Sequence, residues 1–367
     1  MGCDTDVCVV GGGPAGLAAA IAARMQGFRV IVADGAKPPI TKACGEGLLP
    51  DALKALGELG VALREEDGRV LRGIQFEDGQ SSVSANFPDG HGLGVRREVL
   101  HQRMMERARD CGVELLWNTP VMGLYKEGVI AGGNKIQARW VIGADGSSSR
   151  VRRWSGLESL VSKRNRFGFR QHYRLEPWTD FTEIHWGEAA QAYVTPVSAQ
   201  EICVVLISNK PNLRFESLRT FPKLADRLRL APSSSPERGA VTSMFDLKRV
   251  VRGNVALLGD ASGSVDAITG EGLSLSFRQA AALADALAAG DLKSYEKSHR
   301  RLARRPRLVG NLLLLLGGQS GLRKRAVRAL EAAPKLFERI LAYHVGETRP
   351  LQLATAGAIF GWRFLTT

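Results

Sequence analysis

No two of the five cysteines, Cys3, Cys8, Cys44, Cys111 and Cys203, form a C-x-x-C pair, and their number is odd. That spacing excludes a disulfide framework and a thiolate zinc clamp, and it suggests reduced thiols in a cytoplasmic setting with no metal centre. No signal peptide is expected, because an apolar strand begins within the first few residues. The apolar stretch 309–318 is too short for a membrane span, which needs about 20 residues. The net charge is +13, yet no zinc finger, basic zipper or RNA-binding signature accompanies it, so nucleic acid is not expected as a partner.

What remains is a chain of 367 residues, 44% hydrophobic, with room for two domains or one large one. Much of the basic excess is local: Arg300, Arg301, Arg304, Arg305, Arg307, Arg323, Lys324, Arg325 and Arg328 occur with no acidic residue among them. Together with the apolar run between its two halves, this tract reads either as a helix capping a substrate domain or as an interfacial segment resting on anionic lipid. Peripheral contact at the inner face of a membrane is the corresponding expectation for localisation.

The organising stretch lies near the start. Val7-Cys8-Val9-Val10 reads as a buried parallel strand, and Gly11, Gly13 and Gly16 then open an alanine-rich helix through Pro14 and Ala15. Gly11 allows the turn, Gly13 leaves backbone bare toward a pyrophosphate, and Gly16 lets helix and strand pack closely. A second strand, 29–33, ends at Asp34, about 20 residues on, where a carboxylate can accept from ribose hydroxyls. No arginine stands beside Asp34, which favours FAD or NAD over NADP.

Further along, Cys44-Gly45-Glu46-Gly47 reads as a loop whose backbone can approach a ligand, and a helix is predicted over 51–59. Residues 70–87, with Asp78-Gly79, read as a hairpin. Arg97 starts a helix with Val99, Leu100, Met104, Met105 and Ala108 on its apolar stripe, and can reach a phosphate; a short strand follows at 113–117. The strand 140–142 leads into Gly143-Ala144-Asp145-Gly146, and the strand 255–258 into Gly259-Asp260 and then Gly270-Glu271-Gly272-Leu273. Asp260 can bond a ribityl hydroxyl, and the helix beginning at Gly272 can stabilise negative charge on a reduced flavin. Between these motifs lie period-2 strands at 167–175, 182–186, 192–197 and 202–207, which predict an antiparallel sheet. Phe169, Tyr173, Trp186 and Tyr193 either line an aromatic pocket opposite the cofactor or pack in the core between sheet and helices, with about half of them expected in the core; His172 and His185 are candidate proton-transfer groups or plain hydrogen-bonded histidines.

Taken in order, the three motifs resemble the FAD-dependent hydroxylases and geranylgeranyl reductases of the glutathione-reductase-like superfamily. The stretches 44–50, 184–187 and 191–197 are similar to flavoprotein hydroxylases associated with type III polyketide synthases, which act on alkylresorcinols. One departure from many hydroxylases is that Asp266-Ala267-Ile268-Thr269, with no proline, precedes Gly270. The resemblance implies an α/β fold: a Rossmann-like FAD domain from 1–72, 93–158 and 246–300, an antiparallel substrate domain from 73–92 and 159–245, and a helical segment over 301–367. It implies FAD contacts at Gly11, Gly13, Pro14, Ala15, Gly16, Asp34, Cys44, Gly45, Arg97, Val121, Asp145, Gly146, Gly259, Asp260, Gly270, Gly272 and Leu273, with NAD(P)H as electron donor. The activity it implies is hydroxylation of an apolar phenolic or polyketide-type small molecule through a flavin hydroperoxide, with the chemistry on the flavin and no protein nucleophile. The alternatives are reduction of prenyl double bonds and, from another class, a non-catalytic lipid-escort protein.

Overall fold

A computed structural model describes residues 3–79, 81–188, 190–211 and 213–346. The predicted helical segment 301–367 therefore lies outside the described residues beyond 346.

The strand Thr5–Val10 is the centre of a parallel sheet, with Val30–Ala33 on one side and Asn134–Gly143 on the other. Val255–Leu257 continues the sheet beyond Asn134–Gly143, and Glu114–Leu116 closes its far edge. Val7, Cys8 and Val9 are fully buried, as expected of a strand covered on both faces. The helix Pro14–Met25 packs on the long helix Gly272–Ala288, and both contribute alanines and leucines to the core shared with this sheet. The GxGxxG turn, Asp34, the 143–146 turn and the 258–260 turn all follow the C-terminal ends of parallel strands. Open parallel sheets place ligands at that end, because the chain reverses there and helix N-termini point outward.

A seven-stranded sheet stands opposite. Its order is Arg238–Leu247, Leu160–Arg174, Glu201–Ser208, Ala190–Ser198, Phe181–Trp186, Gly73–Asp78 and Ser81–Asn86. All neighbours are antiparallel except Phe181–Trp186 and Gly73–Asp78, which run parallel. The hairpin predicted at Asp78-Gly79 joins the last two strands, while Gly68–Leu71 belongs to a separate three-stranded sheet with Gly47–Leu48 and Gly92–Val95. Period 2 decides which residues face the first domain. Tyr193, Val205 and Ile207 share one face, and Val194, Val204 and Leu206 lie in the core on the other.

Three helices close the molecule: Leu292–Gly318, Ser320–Glu331 and Pro334–His344. The apolar run 309–318 lies at the end of the first. It is half-exposed and not a buried cap: its inner residues Leu313 and Leu316 pack on the second sheet's core, while Leu312 and Leu315 are exposed. No helix among the described residues is long and apolar enough to cross a membrane.

Candidate flavin site

The glycine-rich turn is built by close backbone approach. Gly11 has φ +108°, and a Cβ there would sit 2.5 Å from the Ala144 carbonyl oxygen of the neighbouring strand's turn. A Cβ on Gly16 would lie 1.9 Å from the Gly11 carbonyl oxygen, so only glycine lets the helix start where it does. Asp34 stands beside this turn. Its Oδ2 accepts from the Gly12 N–H at 2.6 Å and its Oδ1 from the Ala36 N–H at 2.7 Å, which fixes the carboxylate at the cavity wall.

His101 carries no local sequence signal of a role at this turn. It lies inside the apolar stripe of the helix Arg97–Asp110, fully buried, with Nε2 2.8 Å from the Gly12 carbonyl. Burial holds its pKa below the ordinary value, so the ring is a neutral prop that donates to the turn.

One cavity of about 780 Å³ runs from this turn to the second sheet. It is lined by every residue expected at the cofactor except Gly16, which is packed inside. A specific observation tests whether FAD fits. Gly13, Gly45, Gly146, Gly270 and Gly272 all line the cavity, and a Cβ built on any of them would meet no atom within 4 Å. Bare backbone therefore faces open space from four separate segments, including the start of the helix Gly272–Ala288. A long, polar, phosphate-bearing molecule needs such a surface, and FAD matches it.

The carboxylates are already engaged. Asp145 accepts from the Ser149 hydroxyl at 2.5 Å and from the Arg150 and Val151 N–H groups, so it ties down the short helix Arg150–Trp154. Asp260 pairs with Lys42 at 3.1 Å, both about half-exposed at the cavity mouth. Lys42 drew no attention in the sequence because a lone lysine in a polar loop carries no local signal. Arg97 lines the cavity with Nη1 3.8 Å from the Cys44 sulfur.

Beside Cys44 lies a second feature that the sequence did not reveal. Glu46 is buried at φ +59°, a backbone conformation that L-residues rarely adopt. Its Oε2 is 2.6 Å from His172 Nε2, its Oε1 accepts from the Arg97 N–H at 3.1 Å, and Arg170 Nη1 lies 3.7 Å from Oε1. Ser235 Oγ lies 2.8 Å from the other ring nitrogen, Nδ1. Glu46, His172 and Cys203 bring ligand atoms within 4.8 Å of one another, a spacing that a metal ion could use. The Arg170 guanidinium already supplies the positive charge there, and burial pushes the Cys203 thiol up so that it stays protonated. His172, proposed as a proton-transfer group, is thus the partner of a buried carboxylate at the cavity wall.

The four aromatics divide between the cavity side and the core. Tyr193 lines the cavity and donates to the Ile268 carbonyl at 3.2 Å. Tyr173 and Phe169 do not, because register puts them on the opposite face: they pair with Ile202 and Leu206 and pack in the core with Phe215. Trp186 shares the cavity face but lies past the cavity's end, against Phe76 and under Arg323. His185 points away from the cavity and bonds Glu183 at 2.9 Å. The wall itself is built from Ile74, Ile184, Tyr193, Val205, Ile207 and Val241. Beneath it Arg166 bonds Asp266 at 2.9 Å and Gln191 at 2.6 Å, anchoring the loop that stands where many hydroxylases have a proline.

Comparison with known proteins agrees with this geometry. The family model for the FAD binding domain matches residues 4–291. Menaquinone reductase of Mycobacterium tuberculosis is 27% identical over 316 residues, covering 78% of this chain and 77% of that protein. Rifampicin monooxygenase of Streptomyces venezuelae is 31% identical over 161 residues, 41% of this chain and 34% of its own. Among solved structures, a flavoprotein/dehydrogenase from Cytophaga hutchinsonii superposes with a TM-score of 0.81 at 19% identity, covering 97% of this chain and 98% of that one. The match over most of the chain, on a cavity walled by bare glycine backbone, makes this protein a member of the FAD-binding-domain family, within the superfamily of FAD-dependent hydroxylases and geranylgeranyl reductases, and an FAD-dependent oxidoreductase.

Proposed function

We propose that this flavoenzyme hydroxylates an amphiphilic phenolic lipid, taking electrons from NAD(P)H. The observation that carries this reading is the grading of this cavity along its length. Its cofactor end is polar, with Lys42, Asp34, Arg97 and the glycine backbone; its far end is aliphatic, with Ile74, Ile184, Val205 and Ile207. A ring placed at the junction, with its hydrocarbon tail along the second sheet, satisfies both ends. FAD, when bound, supplies the redox chemistry, with molecular oxygen as co-substrate. The chain's own residues bind and orient. Gly13, Gly146 and the helix start at Gly272 would receive the cofactor's polar groups, Asp34 would accept from its ribose, and the aliphatic wall would keep water from the reacting ring.

A second reading is reduction of carbon–carbon double bonds in an isoprenoid chain. It is favoured by the likeness, over about three quarters of the chain, to a digeranylgeranylglycerophospholipid reductase of Thermoplasma acidophilum, 26% identical over 294 residues, beside that to the menaquinone reductase. One experiment separates the two. The FAD-loaded protein is given NAD(P)H and an alkylresorcinol under ¹⁸O₂, and separately a prenylated quinone under anaerobic reduction. The proposal expects one ¹⁸O atom per product ring. Unlabelled phenol together with a saturated prenyl chain would overturn it in favour of the second reading.

A further inference from the structure

The helix Leu292–Gly318 has two faces with different neighbours. Its inner face touches the cavity loop. A Cβ on Gly310 would lie 3.3 Å from the Thr269 side chain and 3.9 Å from Asp266, and one on Gly317 would lie 2.7 Å from the Gln191 amide. Leu313 and Leu316 pack in the cluster that contains Tyr193, Ile207 and Ile268 of the cavity wall. Its outer face is a stripe at helical spacing, Arg301, Arg304, Leu308, Leu312 and Leu315, all exposed. The three leucines are 57%, 45% and 48% exposed, which is unusual for three large aliphatic side chains in one row.

The cations divide in the same way. Arg305 and Arg323 turn inward, to Asp51 and Glu271 and to Asp78 respectively, while Arg307 and Arg300 are paired nearer the surface with Asp246 and Glu296. Arg301 and Arg304 face outward with no carboxylate in ion-pair range among the described residues. So do Lys324, Arg325 and Arg328 of the following helix. An apolar ridge joined to unpaired cations is the composition of a helix that lies in a membrane interface, leucines among the acyl chains and cations at anionic headgroups.

We propose that the outer face of the helix Leu292–Gly318 docks on an anionic lipid surface and holds the substrate end of the cavity beside that surface. The cavity loop lies on the opposite side of the same helix, about one helix diameter away, roughly 10 Å. A substrate with a hydrocarbon tail would then exchange between bilayer and chamber without crossing open water.

The test uses the full-length, FAD-loaded protein and co-sedimentation with vesicles of phosphatidylglycerol or of phosphatidylcholine alone. Wild type is expected to bind the anionic vesicles at low salt and to release as salt shortens the screening length toward about 3 Å at 1 M. The variant Leu308→Ser, Leu312→Ser, Leu315→Ser should bind at least about tenfold more weakly, since each buried methylene contributes about 0.8 kcal/mol. Lys324→Glu with Arg325→Glu should lower binding to anionic vesicles by a similar factor. Both variants change exposed side chains, so an unaltered flavin spectrum shows that each is folded. Absence of wild-type binding at low salt, or leucine variants that bind like wild type, overturns the proposal. So does a dimer in sedimentation velocity that the leucine variants abolish, because the face would then belong to a second copy of the chain.

Discussion

Asp260 stands half-exposed at the cavity mouth with its charge answered by Lys42. A hydroxyl-bearing ligand in the cavity would gain a charge-assisted acceptor there, worth about 1.5–3 kcal/mol. Asp260→Ala should therefore lower FAD affinity by about tenfold or more, read by flavin absorbance against protein at limiting FAD. Full occupancy in the variant would mean that Lys42 and Asp260 close on each other and leave the cofactor alone. His299 makes a second residue-level case. It is buried with Nε2 2.8 Å from the Ser262 hydroxyl, and burial, aided by Arg307 and Arg300, depresses its pKa to about 3. The unfolded chain binds a proton near pH 6.5 that the folded chain refuses, so this histidine costs stability as pH falls from about 6.5 toward 3, by up to about 1.4 kcal/mol per unit. Relative to His299→Gln, wild type should lose about 2 kcal/mol between pH 7 and pH 5, measured by denaturant midpoints. Parallel stability curves for the two proteins would contradict the assignment.

At the scale of elements, the C-terminal helices reach back to the cofactor loop through buried charge. Arg305 bonds both Asp51 and Glu271 at 3.2 Å, and His344 Nδ1 lies 3.5 Å from Glu271 Oε2. Glu271 is fully buried between the two cavity glycines, and burial raises its pKa. Arg305→Ala leaves that carboxylate short of a partner, a loss of about 3–5 kcal/mol for a buried pair. The variant should unfold at lower denaturant and release FAD, since Gly270 and Gly272 flank the affected residue. A stable, fully yellow variant would show that His344 suffices.

The parallel core was legible in the sequence because strand, turn and helix signals there are local and agree: 5–10, 30–33 and the turn at 143–146 need no distant partner to be read. The face of Tyr173 was not, since one residue of register decides it and only the pairing with Ile202 fixes that register. Glu46 and His101 were missed for another reason. Their partners, His172 and the Gly12 carbonyl, are 126 and 89 residues away in the chain, and no spacing rule reports such contacts.

For the whole molecule, the two sheets enclose a space whose chemistry changes along its length, and the net positive charge sits mainly on the helices outside it. In the proposed reaction FAD and a hydrocarbon-tailed substrate share this cavity. The most direct measurement is a titration of the FAD-loaded protein with alkylresorcinols of increasing tail length, followed by perturbation of the flavin absorption bands. If the tail lies along Ile74, Ile184, Val205 and Ile207, each added methylene should tighten binding by up to about fourfold, the equivalent of about 0.8 kcal/mol, until the chamber is filled. An affinity independent of tail length, or no flavin perturbation at any length, would contradict the account.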